Sequence, residues 1–176
     1  MRRLRAFAVC LWLVLGLAAC NRREKLRIET IEDPVSTLAS VLHVADPRSS
    51  PQLLKGFHDI EQNSWRWTMG KFAVTLQRPA GSEQRGATLQ VKFGLPEAVV
   101  DRLKSITLSA NVNGTPIEAE TFAKVGEHTY TKVVPASALG IEAVGVDFAL
   151  DKFLQPGSVD QRELGIVVST IGLEAK

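Results

Sequence analysis

Ile106-Thr107-Leu108-Ser109-Ala110-Asn111-Val112-Asn113-Gly114-Thr115 decides the fold class of this chain. Ile106, Leu108, Ala110 and Val112 alternate with Thr107, Ser109 and Asn111. Successive side chains of a strand point to opposite faces, so the apolar set marks one buried face. Asn113-Gly114 follows at once, and both residues tolerate the positive φ that a two-residue type I′ hairpin turn requires. The reading is a strand over 105–112, a tight turn, and a returning strand over 115–122.

The same period recurs on both sides of this hairpin. Phe72, Val74 and Leu76 alternate with Ala73, Thr75 and Gln77; Leu89, Val91 and Phe93 with Thr88, Gln90 and Lys92. Val144, Val146, Phe148 and Leu150 alternate with Gly145, Asp147 and Ala149. Leu164 to Leu173 is apolar on both faces, which predicts a central strand. Pro79 to Gly86 reads as a polar loop, Pro96 to Leu103 as a helical turn, Val125-Gly126-Glu127 as a turn, and Pro135 to Gly140 as a crossing. About eight short strands with minor helices predict an all-β antiparallel β-sandwich over 53–176, because two half-apolar sheets must bury their inner faces together. Period alone leaves a jelly-roll and an immunoglobulin-like order both open.

Upstream, Asp33-Pro34 has the form of a helix start, with Asp at the N-cap and Pro at the first helical position. Val35, Leu38, Leu42 and Ala45 continue at helical spacing, and Asp46-Pro47 ends the segment. Arg22, Arg23, Glu24, Lys25 and Arg27 read as a solvated stalk, so 20–52 is expected to be a tether with one short helix.

Met1–Cys20 has Arg2, Arg3 and Arg5, then an uncharged run from Ala6, then the small residues Ala18-Ala19 before Cys20. That is the layout of a secretory signal over 1–19. An uncleaved anchor is the rival reading, but the apolar run of about 14 residues falls short of the roughly 20 that span a bilayer. An ordinary signal peptide with a chance cysteine is the other. Cleavage would remove three arginines and no acid, taking the formal charge from +2 to −1. The remaining chain would carry no basic footprint for nucleic acid. It would also contain Cys20 alone of the two cysteines, which leaves no disulfide.

Two segments are candidates for chemistry. Trp65 and Trp67 share a face of an extended strand, with Arg66 on the other. Exposed, the pair would make a platform for the C–H faces of a sugar, with Arg66, Gln62 and Asn63 bonding its hydroxyls. Buried, it would close one end of the sandwich. Asp160-Gln161-Arg162-Glu163 precedes the last strand, and Arg162 has the geometry to bind a carboxylate, Glu61 or Asp160, as a structural clamp, or else a ligand. The histidines His43, His58 and His128 form no pair at metal-ligand spacing. No nucleophile elbow, dinucleotide fingerprint or phosphate loop is present, so neither catalytic residues nor a cofactor is expected. Asp59 and Glu61 are a carboxylate pair of the glycosidase kind, but such pairs are common on solvated strands.

Leu17-Ala18-Ala19-Cys20 resembles the lipobox of bacterial lipoproteins. The resemblance implies cleavage before Cys20 and three acyl chains on the mature terminus, a stable membrane anchor. Asn rather than Asp at position 21 points to the outer membrane, periplasmic face, over the inner membrane. Gly56-Phe57-His58-x-x-Glu61, Trp65-Arg66-Trp67-Thr68 and Asp160-x-Arg162-Glu163-Leu164-Gly165-Ile166 together resemble poorly characterised β-sandwich modules of bacterial glycosyltransferases and other cell-surface polysaccharide proteins. That likeness covers about residues 53–173 in motif order and implies a glycan context without an activity. The expected function is a non-enzymatic envelope lipoprotein that binds or handles glycan. The alternative is an assembly lipoprotein that binds another envelope protein through a sheet face or edge.

Overall fold

A computed structural model of the chain describes residues 38–158 and 160–176. The segments expected to be a signal and a charged stalk, with Cys20 and the expected helix start at Asp33-Pro34, lie outside these residues. All described residues belong to one compact unit, Ser36–Lys176.

Nine strands build it: β1 Val41–His43, β2 Leu53–Glu61, β3 Trp65–Gln77, β4 Ala87–Leu95, β5 Ile106–Val112, β6 Thr115–Phe122, β7 Gly126–Val134, β8 Ala143–Leu150 and β9 Val167–Ala175. The helices are short, α1 Ser82–Arg85 inside the polar loop and α2 Glu97–Leu103 after Pro96. Every strand pair is antiparallel.

The Asn113-Gly114 turn is the tip of a long ribbon. Asn113 and Gly114 take φ of 48° and 88°, and β5 pairs with β6 across them. Behind the tip, β4 pairs with β7, β3 with β8, and β1 with β9. Rolling this ribbon brings β5 against β8 and β4 against β9. The layers are therefore β6-β5-β8-β3 and β7-β4-β9-β1, the nested order of a jelly roll. The two layers are not separate sheets. One edge of β3 pairs with β9 at Arg66 and Trp67 and with β8 from Lys71 to Gln77, so hydrogen bonding runs unbroken from one layer into the other. β2 covers the other edge of β3.

The inner faces meet as the alternation predicts. Phe72, Val74 and Leu76 from β3 are fully buried with Leu89, Val91 and Phe93 from β4, Leu108 from β5 and Ile171 from β9. Phe72 stacks on Phe148 at 4.8 Å, and Phe93 meets Phe122 edge-on at 5.0 Å. The Tyr130 hydroxyl donates to the Glu118 carbonyl at 2.7 Å and ties β7 to β6 across the open end of the layers. Burial, aided by Glu120 and Glu118, pushes the Tyr130 phenol up to about 12.

The expected helix ending near Ala45 is not formed across its described part. Val41–His43 is a strand on β9, and Leu42 and Val44 are completely buried. Leu38, Leu42 and Ala45 fit a helical period, but Leu42 and Val44 also fit alternation. The free edge of β9, Thr170 to Gly172, supplies partners that a helix would leave unmet. Residues 47–52 are likewise part of the domain rather than a tether. They form a 3-10 turn capped by Asp46, whose carboxylate accepts from Arg48 N at 2.9 Å. Buried Gln52 donates to the carbonyls of Ala39 and Thr75 and accepts from Ala39 N. The domain boundary thus lies upstream of β1, not at Leu53. The final strand starts at Val167, because Leu164 is occupied in a lone bridge with Leu154.

Candidate functional site

The segments Gly56–Thr68 and Asp160–Ile166 meet where β3 passes from one layer to the other. Thr68 is fully buried. Its N–H donates to Ile166 O at 2.9 Å, its carbonyl accepts from Gly165 N at 2.7 Å, and its hydroxyl accepts from Ile166 N at 3.2 Å. The Glu163 carboxylate accepts from Gly70 N at 2.7 Å, and the Glu163 carbonyl contacts His58 Nε2 at 2.7 Å. Gly165 leaves no room for a side chain, since a Cβ there would lie 2.7 Å from Thr68 Oγ1 and 2.9 Å from Met69 O. The two motifs are one lock built from segments far apart in the sequence.

Arg162 lies between Glu61 and Asp160. Nη1 donates to Glu61 Oε1 at 2.7 Å, and Nε and Nη2 grip both oxygens of Asp160 at 3.1 and 2.9 Å. Hydrogen bonds from Arg162 hold the Asp160 carboxyl down at about 2. The three side chains stay 38, 36 and 34% exposed, so solvent screens the cluster. Arg162→Ala is therefore expected to lower the melting temperature by only about 2–4 °C. Asp160 titrates lower folded than at its ordinary 3.8, so its contribution is full above that value and lost as pH falls toward 2. Thermal melts from pH 5 to pH 2 should show this acid limb in the wild type and a shallower one in Arg162→Ala. A drop of more than about 10 °C at neutral pH would mean that the clamp is energetically buried.

Arg66 is not a ligand-facing residue. It sits on the opposite face of β3 from the tryptophans and donates to Val44 O at 2.7 Å, His58 O at 2.9 Å and Ser50 Oγ at 3.3 Å. It straps the segment after β1 onto the sheet, a job that only the folded-back chain creates. Gln62 and Asn63 are not part of the lining of the tryptophan groove. They are exposed central residues of the β2–β3 turn, at φ of 50° and 52°, the sign pattern of a type I′ turn.

Trp65 and Trp67 do come together in one open groove of about 460 Å³. Both are half-buried, so each packs one side and offers another. The floor is set by register: Trp67, Val167, Gly94 and Glu127 lie side by side across β3, β9, β4 and β7. Phe93 and Val168, their neighbours in sequence, point into the core, so this row faces out of the sandwich. Leu95 and Pro96 wall one end and Val125 another. Gly94 carries no side chain, and a Cβ there would come within 3.1 Å of Glu127 Oε1, which places that carboxylate over the floor. Glu61 closes the rim from the clamp side. Sequence reasoning found the two indoles and missed the floor, which comes from three other strands, and the walls at the ends of β4 and β7. Val125-Gly126-Glu127 carried only a turn signal.

Among the described residues no group of three or more His, Cys, Asp or Glu side chains is placed to hold a metal ion. The three histidines contact Thr170 Oγ1 (His43), Glu163 O (His58) and Lys124 O (His128). Glu61, one half of the carboxylate pair with Asp59, is engaged by Arg162. No helix of the described residues is long and apolar enough to cross a membrane.

No protein-family model matches this chain, and neither does any curated protein sequence. Solved structures with a similar course include the CBM36-1 domain of a multidomain xylanase from the hindgut metagenome of Trinervitermes trinervoides. It is 6% identical, with a TM-score of 0.41 over 73% of this chain and 94% of that one. The CBM51-2 and INT domains of Clostridium perfringens ZmpB, solved in complex with GlcNAc, are 11% identical with a TM-score of 0.38. That match covers 77% of this chain and 28% of that one. The same domains in a second structure give 12% and 0.37. Likenesses at these scores assign no ligand to the groove.

Proposed function

We propose that this chain is a non-enzymatic envelope protein, lipid-anchored through Cys20, whose jelly roll binds glycan in the Trp65/Trp67 groove. The observation that carries the reading is the pairing of two half-buried indoles along one open, outward-facing groove. Aromatic faces suit the apolar C–H side of a pyranose ring, and the Glu61 and Glu127 carboxylates at the rim can accept from its hydroxyls. A shallow site with few polar contacts would bind near millimolar, about −4 kcal/mol. The lipid on Cys20 would hold this groove close to a membrane surface, with the outer membrane favoured by Asn21.

The test is a calorimetric titration of the full chain, in detergent, with oligosaccharide fragments of envelope polysaccharides. Trp65→Ala or Trp67→Ala should weaken binding at least tenfold, about 1.4 kcal/mol, while the domain still melts cooperatively. Binding that survives both substitutions would reject the groove. Failure of every fragment would favour a protein partner instead. Anchoring is tested separately: a fatty-acid probe should label the wild type in cells and not Cys20→Ala.

A further inference from the structure

We propose that the groove prefers saccharides bearing a free, protonated amine over N-acylated, neutral or acidic ones; this rests on the glycan reading of the Trp65/Trp67 groove. Among the described residues, the ionisable side chains that line it are Glu61 and Glu127, both acidic. The cation bonded to Glu61, Arg162, is itself shared with Asp160. Arg162 bonds Glu61 on one side and both oxygens of Asp160 on the other, so this end of the groove holds two carboxylates to one guanidinium. Glu127 adds a further negative charge directly over the Gly94 floor, beside Val167 and Trp67 in the register row.

Indole faces attract cations through their ring quadrupole. An ammonium group on a ring stacked against Trp67 would therefore meet an aromatic face and a carboxylate together. A uronate or phosphate in the same place would meet only like charge. An N-acetyl group would remove the cation and leave Glu127 without a counter-charge. The selection comes from charge complementarity across a mainly apolar surface, so it should be sensitive to salt.

The experiment compares a glucosamine oligosaccharide with the fully N-acetylated oligosaccharide of the same length and linkage, and with an oligogalacturonate. The full chain in detergent is titrated at about pH 5, where sugar amines are protonated. The glucosamine oligosaccharide should bind about fivefold to tenfold more tightly than its N-acetylated counterpart, as expected for one or two partly screened carboxylates. That ratio should shrink toward one in Glu127→Gln and at high salt, with the melting temperature of the variant showing that it folds. Equal or tighter binding of the N-acetylated or uronate ligand would overturn the amine preference and leave the glycan reading standing. Absence of binding by all three would overturn the amine preference, and the glycan reading would then stand or fall on the envelope polysaccharide fragments.

Discussion

A fragment beginning at Leu53 will fail to melt cooperatively, whereas one beginning at Ser36 will fold. The shorter fragment lacks β1, whose Leu42 and the adjoining Val44 are completely buried. Each such side chain contributes about 1.5–3 kcal/mol by burial alone. Gln52 and its three hydrogen bonds to Ala39 and Thr75 are lost as well, at about 1 kcal/mol per bond. Arg66 loses its acceptors at Val44 and Ser50. Together these approach the whole stability of an ordinary domain, about 5–15 kcal/mol. The deletion would also bare the edge of β9 from Thr170 to Gly172, an invitation to aggregate. In the longer fragment, Leu42→Ala alone should cost about 2–5 kcal/mol. Circular dichroism melts of the two fragments decide the matter, and indistinguishable transitions would return β1 to the status of a tether.

Gly56→Ala should be the most damaging single substitution in the lock. Gly56 sits in a bulge of β2, between Lys55 and Phe57, at φ of 76°. A Cβ there would lie 2.1 Å from Lys71 O and 2.7 Å from Phe72 Cα, backbone atoms that no rotamer change can move. Left-handed strain costs about 1–3 kcal/mol and overpacking another 1–3 or so, for a total of roughly 2–6. Gly165→Ala should cost less, since one of its clashes is with the tip of Leu150 and its backbone carries no φ penalty. Gly140→Ala, with nothing within 4 Å, is the control and should melt near the wild type. A Gly56→Ala protein that melts within a degree or two of that control would show that the bulge relaxes freely.

These two results bear on the motif that suggests a glycan context. Gly56, His58, Glu61, Arg66, Thr68, Asp160, Arg162, Glu163 and Gly165 all act in the junction where β3 changes layers. Their spacing in sequence is that of a structural lock. Of these only Glu61 also lines the groove, beside Trp65 and Trp67 of the same motif.

The alternation of apolar residues by itself determined β3, β4, β5 and β8, because a strand with one face buried must repeat every second residue. Asn113-Gly114 determined the hairpin because few residue pairs accept positive φ twice, and the shared face of Trp65 and Trp67 followed from the same period. Tertiary structure decided the rest. Val41–His43 is a strand because its ladder partners lie at Thr170 to Gly172, a pairing that no local pattern encodes. The jelly-roll order arose from which ribbon edges met on rolling, since Ile106–Val112 alternates identically in any sandwich. The groove likewise exists only in register: Glu127 and Gly94 reach the indoles through hydrogen-bonded neighbours on three strands. Arg66 was turned from a ligand candidate into a strap because the chain folded a carbonyl, that of Val44, back within its reach.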